Sequence, residues 1–204
     1  MNHEHLQIRI YGTDGATRTF VQNDAQLIDR TLHELNPRAL FSQDRITIND
    51  DDAEITFLSS ALTRIDLMSD RLSVWDYPFA LGALVELTEQ EFMEFIHEPR
   101  PRQPANSASG TPVFLKLEML HGQPVFLWMQ VIAGLPPARW QKIHSLLEER
   151  RLIFDLRAGG IGVLNLANLV RASIHPEPSE LAAAAGAVPP AVERPKLRLA
   201  GSLH

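Results

Sequence analysis

Val113 to Val131, VFLKLEMLHGQPVFLWMQV, is two apolar runs separated by His121-Gly122, and its reading decides the fold. In the first run Val113, Leu115, Leu117 and Met119 alternate with Phe114, Lys116, Glu118 and Leu120, the period of two of a strand with one apolar face. In the second, Val125, Leu127, Met129 and Val131 share one face, while Phe126, Trp128 and Ile132 line the other. Such a strand is expected to be central and covered on both sides. A lone hairpin is marginal in water, so the pair must join further strands.

Working outward, a similar hairpin opens the chain. Leu6, Ile8 and Ile10 alternate before Asp14-Gly15, a favoured hairpin corner because the turn needs positive φ. Gly15 and Gly122 are 122 − 15 = 107 residues apart, and the arginines of ALTRIDL (61–67) and NLVRASI (168–174) are 171 − 64 = 107 apart. The order hairpin, helix, strand, then strand, short turn, strand recurs between these anchors. The expectation is an α+β fold of two similar units with mainly antiparallel sheets, arisen by internal duplication.

The first unit spans 1–67. Its helix follows Asn23 or Asp24 as cap, carries Ala25, Ile28, Leu32 and Leu35 as one stripe, and ends at Pro37. Arg45–Ile48 and Ala53–Leu58 are expected strands around the corner Asn49, Asp50, Asp51, Asp52. Clustered oxygens suit calcium, but EF-hand spacing is missing and these are ordinary turn residues, so no metal site is assigned. Arg64 and Arg171 are candidates for pairing with acids across the units, though a solvated arginine beside a strand is the simpler expectation.

Residues 68–97 form a connecting strand and helix. Within them Trp75, Tyr77 and Phe79 are spaced two apart around Pro78. Each buried ring contributes on the order of 2 to 3 kcal/mol, so the trio either joins the two halves or forms a docking surface. These three residues are the candidate binding site. Thr88-Glu89-Gln90-Glu91 is a capping box, followed by the apolar stripe Phe92, Phe95, Ile96.

The Pro- and Ser-rich stretch 98–111 is an expected linker. The second unit spans 112–175. Its helix follows Pro136-Pro137, carries Trp140, Ile143, Leu146 and Leu147 on one side, and places Arg150 and Arg151 in the last turn. Strands at Ile153–Leu156 and Ile161–Leu166 flank Gly159-Gly160, a tight turn with no dinucleotide or phosphate-loop pattern around it. Residues 176–204 are a Pro/Ala-rich tail, expected to be flexible, in which Lys196, Leu197, Arg198 and Leu199 alternate and could add as a strand to a sheet edge.

The totals narrow the function classes. The 204 residues suffice for a sizeable core, and 45% hydrophobic with 22% charged residues is ordinary for a globular protein. A formal net charge of −6 without a basic stretch argues against binding nucleic acid or anionic membranes. Cysteine is absent, which removes disulfides, thiolate metal sites and cysteine nucleophiles. The start MNHEHLQIRI lacks the apolar core of a signal peptide, so a cytoplasmic location is expected. The longest apolar run, Val125 to Ala138, is too short to span a bilayer, which needs about 20 residues. The eight histidines make no H-E-x-x-H pattern, and a G-x-S-x-G elbow is missing. No catalytic residue, metal site or cofactor is assigned.

The resulting expectation is a non-enzymatic protein-binding or assembly module, engaging a protein partner or a further copy of itself. The alternative is a small-molecule binder or enzyme whose site is the cleft between the two units.

Overall fold

The computed structural model describes residues 5–49, 53–72, 81–97, 111–131 and 136–176. Trp75, Tyr77 and Phe79, the acidic corner 50–52, the linker core and the tail beyond 176 lie outside the described residues. The architecture is α+β, a large and mostly antiparallel sheet with three α-helices among the described residues.

In chain order, β1 (Leu6–Gly12) and β2 (Thr17–Gln22) form the first hairpin. Helix α1 (Ala25–Glu34) follows, then β3 (Arg45–Asn49), β4 (Glu54–Leu58), a 3-10 turn (Ser59–Ala61) and β5 (Leu62–Ser69). Next come β6 (Leu81–Leu87) and α2 (Glu89–His97). The second hairpin is β7 (Thr111–Met119) and β8 (Val125–Val131), and it leads to α3 (Pro136–Glu148), β9 (Arg151–Asp155), β10 (Ile161–Asn165), a 3-10 turn (Leu166–Asn168) and β11 (Leu169–His175).

Nine strands share one sheet in the order β11-β7-β8-β6-β9-β10-β5-β1-β2, while β3 and β4 pair as a separate two-stranded sheet. All ladders are antiparallel except β6 with β9, which touch in parallel at Val85 and Asp155. The connecting strand β6 therefore does more than link: it lies inside the sheet, between β8 and β9. As its double apolar face requires, β8 is interior, and every residue but Gln130 is buried.

In each unit the last strand lies beside the first strand, on the side away from its hairpin partner, giving β2-β1-β5 and β8-β7-β11. The registers coincide at the 107-residue offset. Leu6 faces Gln22 and Val113 faces Met129, and the register of β1 with β5 slips at Gly12/Leu62 as that of β7 with β11 slips at Met119/Leu169. The Thr13 amide donates to the Ala61 carbonyl at 2.8 Å, and the Leu120 amide donates to the Asn168 carbonyl at 2.8 Å. Gly15 (φ 78°) and Gly122 (φ 96°) supply the positive φ that both hairpin turns demand.

Two apolar cores result. Leu6, Ile8, Ile10, Ile28, Leu35, Ile46, Ile48, Ile65 and Leu67 fill the first, together with Ile161 and Val163 of β10. Val113, Leu115, Leu117, Leu127, Met129, Ile143 and Phe154 anchor the second. Because β10 sends alternate residues into each, it ties the cores together. A third cluster, Phe92, Phe114, Phe126 and Trp128, covers the opposite face of β7 and β8 under α2. The Phe92 ring lies 4.9 Å from Phe126, and Phe95 stacks on Phe114 at 5.4 Å.

Local signals explain the helices. Asp24 caps α1 by accepting from the amides of Gln26 and Leu27, both at 2.9 Å. The buried stripe is Ile28, Thr31 and Leu35 with Leu32 half-buried, and Ala25 is exposed. The Thr88/Glu91 box closes reciprocally: the Thr88 amide donates to Glu91 Oε2 at 2.9 Å and the Glu91 amide to Thr88 Oγ1 at 3.2 Å. Helix α3 stops at Glu148, so Arg150 and Arg151 lie beyond it; Arg151 starts β9 and donates to Ser42 Oγ at 2.7 Å.

Candidate functional site

Beside the sheet, the tips of the two hairpins border one cleft of about 640 Å³. One wall is Gly12, Gly15, Ala16 and Thr17 from the β1–β2 tip; another is His121, Gly122, Gln123 and Pro124 from the β7–β8 tip. Arg9 and Tyr11 of β1, Arg64 and Asp66 of β5 and Glu86 of β6 contribute the charged floor. The two turns that stand out in the sequence thus come together in space.

Alternation places the floor residues. On β1, Leu6, Ile8 and Ile10 enter the first core, so Arg9 and Tyr11 must point to the other face. On β5, Ile65 and Leu67 enter the same core, so Arg64 and Asp66 share the face of Arg9 and Tyr11. The register sets Tyr11 opposite Arg64 and Arg9 opposite Asp66.

Arg64 is the hub. Its Nε donates to Asp66 Oδ1 at 2.6 Å and its Nη2 donates to Glu86 Oε1 at 2.7 Å. The guanidinium lies 5.1 Å from the ring centroids of both Tyr11 and Phe154, within cation–π range. Side-chain exposure is 13% for Arg64, 2% for Asp66 and 23% for Glu86. A solvated arginine, the simpler expectation, is therefore replaced by a buried one, paired on its own strand and with β6. Arg171, by contrast, is exposed opposite Glu118.

The second oxygen of Asp66, Oδ2, accepts from the Tyr11 hydroxyl at 2.9 Å. Burial pushes the Asp66 carboxyl above its ordinary range, and Arg64 and Tyr11 offset only part of that rise. Burial, and then the Asp66 charge, raise the Tyr11 phenol, which stays protonated. Arg9 sits beside Tyr11 and is held more firmly charged by it. Both Asp66 oxygens are engaged by protein groups, so this carboxyl suits positioning Arg64 and Tyr11 better than abstracting a substrate proton.

Sequence reasoning singled out Trp75, Tyr77 and Phe79 for binding; they lie outside the described residues. It named Arg64 but missed Arg9, Tyr11, Asp66 and Glu86. A signal existed in β5, where Arg64 and Asp66, two apart, put opposite charges on one strand face. Nothing in the local pattern says that β6 and β9 will cover that face.

Among the described residues, no group of three or more His, Asp or Glu side chains is placed to hold a metal ion. No described helix is long and apolar enough to cross a membrane. Comparisons with known proteins give no matching family model, no similar curated protein and no similar solved structure.

Proposed function

We propose that the protein binds a small polar molecule, uncharged or zwitterionic, in the cleft between the two hairpin tips. The observation that carries this reading is the Arg64–Asp66–Glu86 cluster with Tyr11 at the cleft floor: a set of nearly desolvated charges beside an open cavity of ligand size. The floor balances Arg9 and Arg64 against Asp66 and Glu86, so a strongly charged ligand gains no net attraction. Thr17, Thr63 and Gln123 supply uncharged hydrogen-bonding groups, and Met119, Leu156 and Leu164 supply apolar contact.

Native mass spectrometry of the protein purified from its own source tests this. A retained small mass is expected on the natural chain and should be absent from Ala16→Trp, which fills the cleft from its rim. Retention of the same mass by the filled variant would place the ligand elsewhere. An assembly role is favoured by a separate observation, the edges of β4 and β11 that are unpaired among the described residues.

We also infer that 5–69 and 112–176 descend from one duplicated unit. Support comes from the shared element order, the two coincident registers and their slips, and the paired amide bonds of Thr13 and Leu120. The hairpins β3–β4 and β9–β10 differ by one residue in their loops, and the helices α1 and α3 differ in length and position, so the spacing drifts between the anchors.

A further inference from the structure

We propose that two copies of this chain join edge to edge, β4 of each pairing antiparallel with β11 of the other in the register that β10 and β5 use within one chain. In that internal ladder Gly162 faces Asp66, Val163 faces Ile65 and Leu164 faces Arg64. The 107-residue offset carries β10 onto β4 and β5 onto β11, and the same ladder becomes Ile55 facing Ser173, Thr56 facing Ala172 and Phe57 facing Arg171. Among the described residues β4 pairs with β3 and β11 with β7, and neither has a neighbour on its other edge. One of two equivalent junctions is thus made inside the chain and the other is open among the described residues.

Exposure follows the same division. Every residue of β10 is buried, whereas β4 alternates between exposed and half-buried. Leu58 is 56% exposed and Val170 is 64% exposed, the two most exposed large apolar side chains among the described residues. Their counterparts at the made junction, Asn165 and Thr63, are 4% and 3% exposed. An uncovered edge with apolar side chains is a template for another strand.

A second copy, rather than closure within the chain, is proposed because β4 and β11 rest on different cores and do not pair with each other. Ile46, Ile48 and Phe57 hold the β3–β4 hairpin on the first core, while Leu169, Ala172 and Ile174 hold β11 on the second. Both edges nonetheless start from one junction, where Asn165 Nδ2 donates to the Ser59 and Leu62 carbonyls at 2.9 Å and Asn168 Nδ2 to Leu62 at 2.8 Å. A twofold-related copy can therefore meet both at once, the isologous arrangement of most dimers.

The chain has no cysteine, so engineered thiols report on this ladder alone. Opposed residues of an antiparallel pair lie within disulfide reach. Co-expressed Thr56→Cys and Ala172→Cys single variants should give a disulfide-linked dimer on mild oxidation. The out-of-register combination of Thr56→Cys with Ile174→Cys should give roughly tenfold less. Leu58→Lys/Val170→Lys, altering two exposed side chains, should sediment as a monomer with an unchanged circular dichroism spectrum, its melting temperature lowered only by the lost association. Three results each overturn the proposal: a natural chain that sediments as a monomer, a Thr56→Cys/Ala172→Cys double variant that closes within one chain, or a lysine variant that stays dimeric.

Discussion

The same four ladder positions carry different chemistry in the two halves. In the first, Arg9, Tyr11, Arg64 and Asp66 sit on adjacent strands and form a cluster in which Arg64 and Asp66 are nearly buried. In the second, the positions 107 residues on are Lys116, Glu118, Arg171 and Ser173, with Lys116 Nζ 2.9 Å from Glu118 at 35% and 32% exposure. The ladder registers are common and the cover is not. Strands β6 and β9 close over the first set through Glu86 and Phe154, while nothing among the described residues closes over Arg171. Local geometry decides which side chains meet, and burial decides what their meeting is worth.

The most forceful way to break this comparison is to remove the two arginines separately. Arg64→Ala leaves Asp66 buried without its cation and should cost about 3 to 5 kcal/mol in urea unfolding, while Arg171→Ala should stay within about 0.5 kcal/mol. Equal effects would mean that burial does not separate the halves. On the other side of the comparison, Phe92→Ala strips the aromatic cover that α2 lays over β7 and β8. A loss of about 3 to 5 kcal/mol is expected for so buried a ring.

The hairpin turns should behave alike, and that sharpens what is shared. Gly15→Ala and Gly122→Ala each force a Cβ into positive φ, so each should cost roughly 1 to 2 kcal/mol by thermal or urea melts. Tyr11→Phe deletes the hydrogen bond to Asp66 and should cost about 1 kcal/mol. The last test reads a slope. The folded pKa of Asp66 lies above its unfolded value near 3.8, so the native state binds more protons in the window between the two. The Asp66 contribution to stability therefore falls as pH rises through that window. Asp66→Asn should remove that fall from a series of melts against pH, and an unchanged slope would assign it to other groups.

Much of the fold was legible because strand period, turn residues and caps act over a few neighbours. Asp24, Thr88 with Glu91, Gly15 and Gly122 each satisfy a local backbone demand that the sequence states outright. The reading faltered where distant packing intervened. Ala25 continues the helical stripe of α1 but falls off the core, and Thr31 takes a buried place instead. Of the cleft, only Arg64 and the two turns were visible in advance.

By itself the sequence determined the elements, their order, the antiparallel hairpins and the 107-residue echo between them, since each rests on contacts near in the chain or on repeated pattern. Tertiary structure alone decided that β6 enters the sheet between β8 and β9, that β10 pairs with β5 while β4 does not pair with β11, and that Arg64 is buried. Those outcomes depend on which strands far apart in the chain compete for the same edge. No local pattern carries that information, because a strand's alternation fixes its faces and leaves its neighbour open.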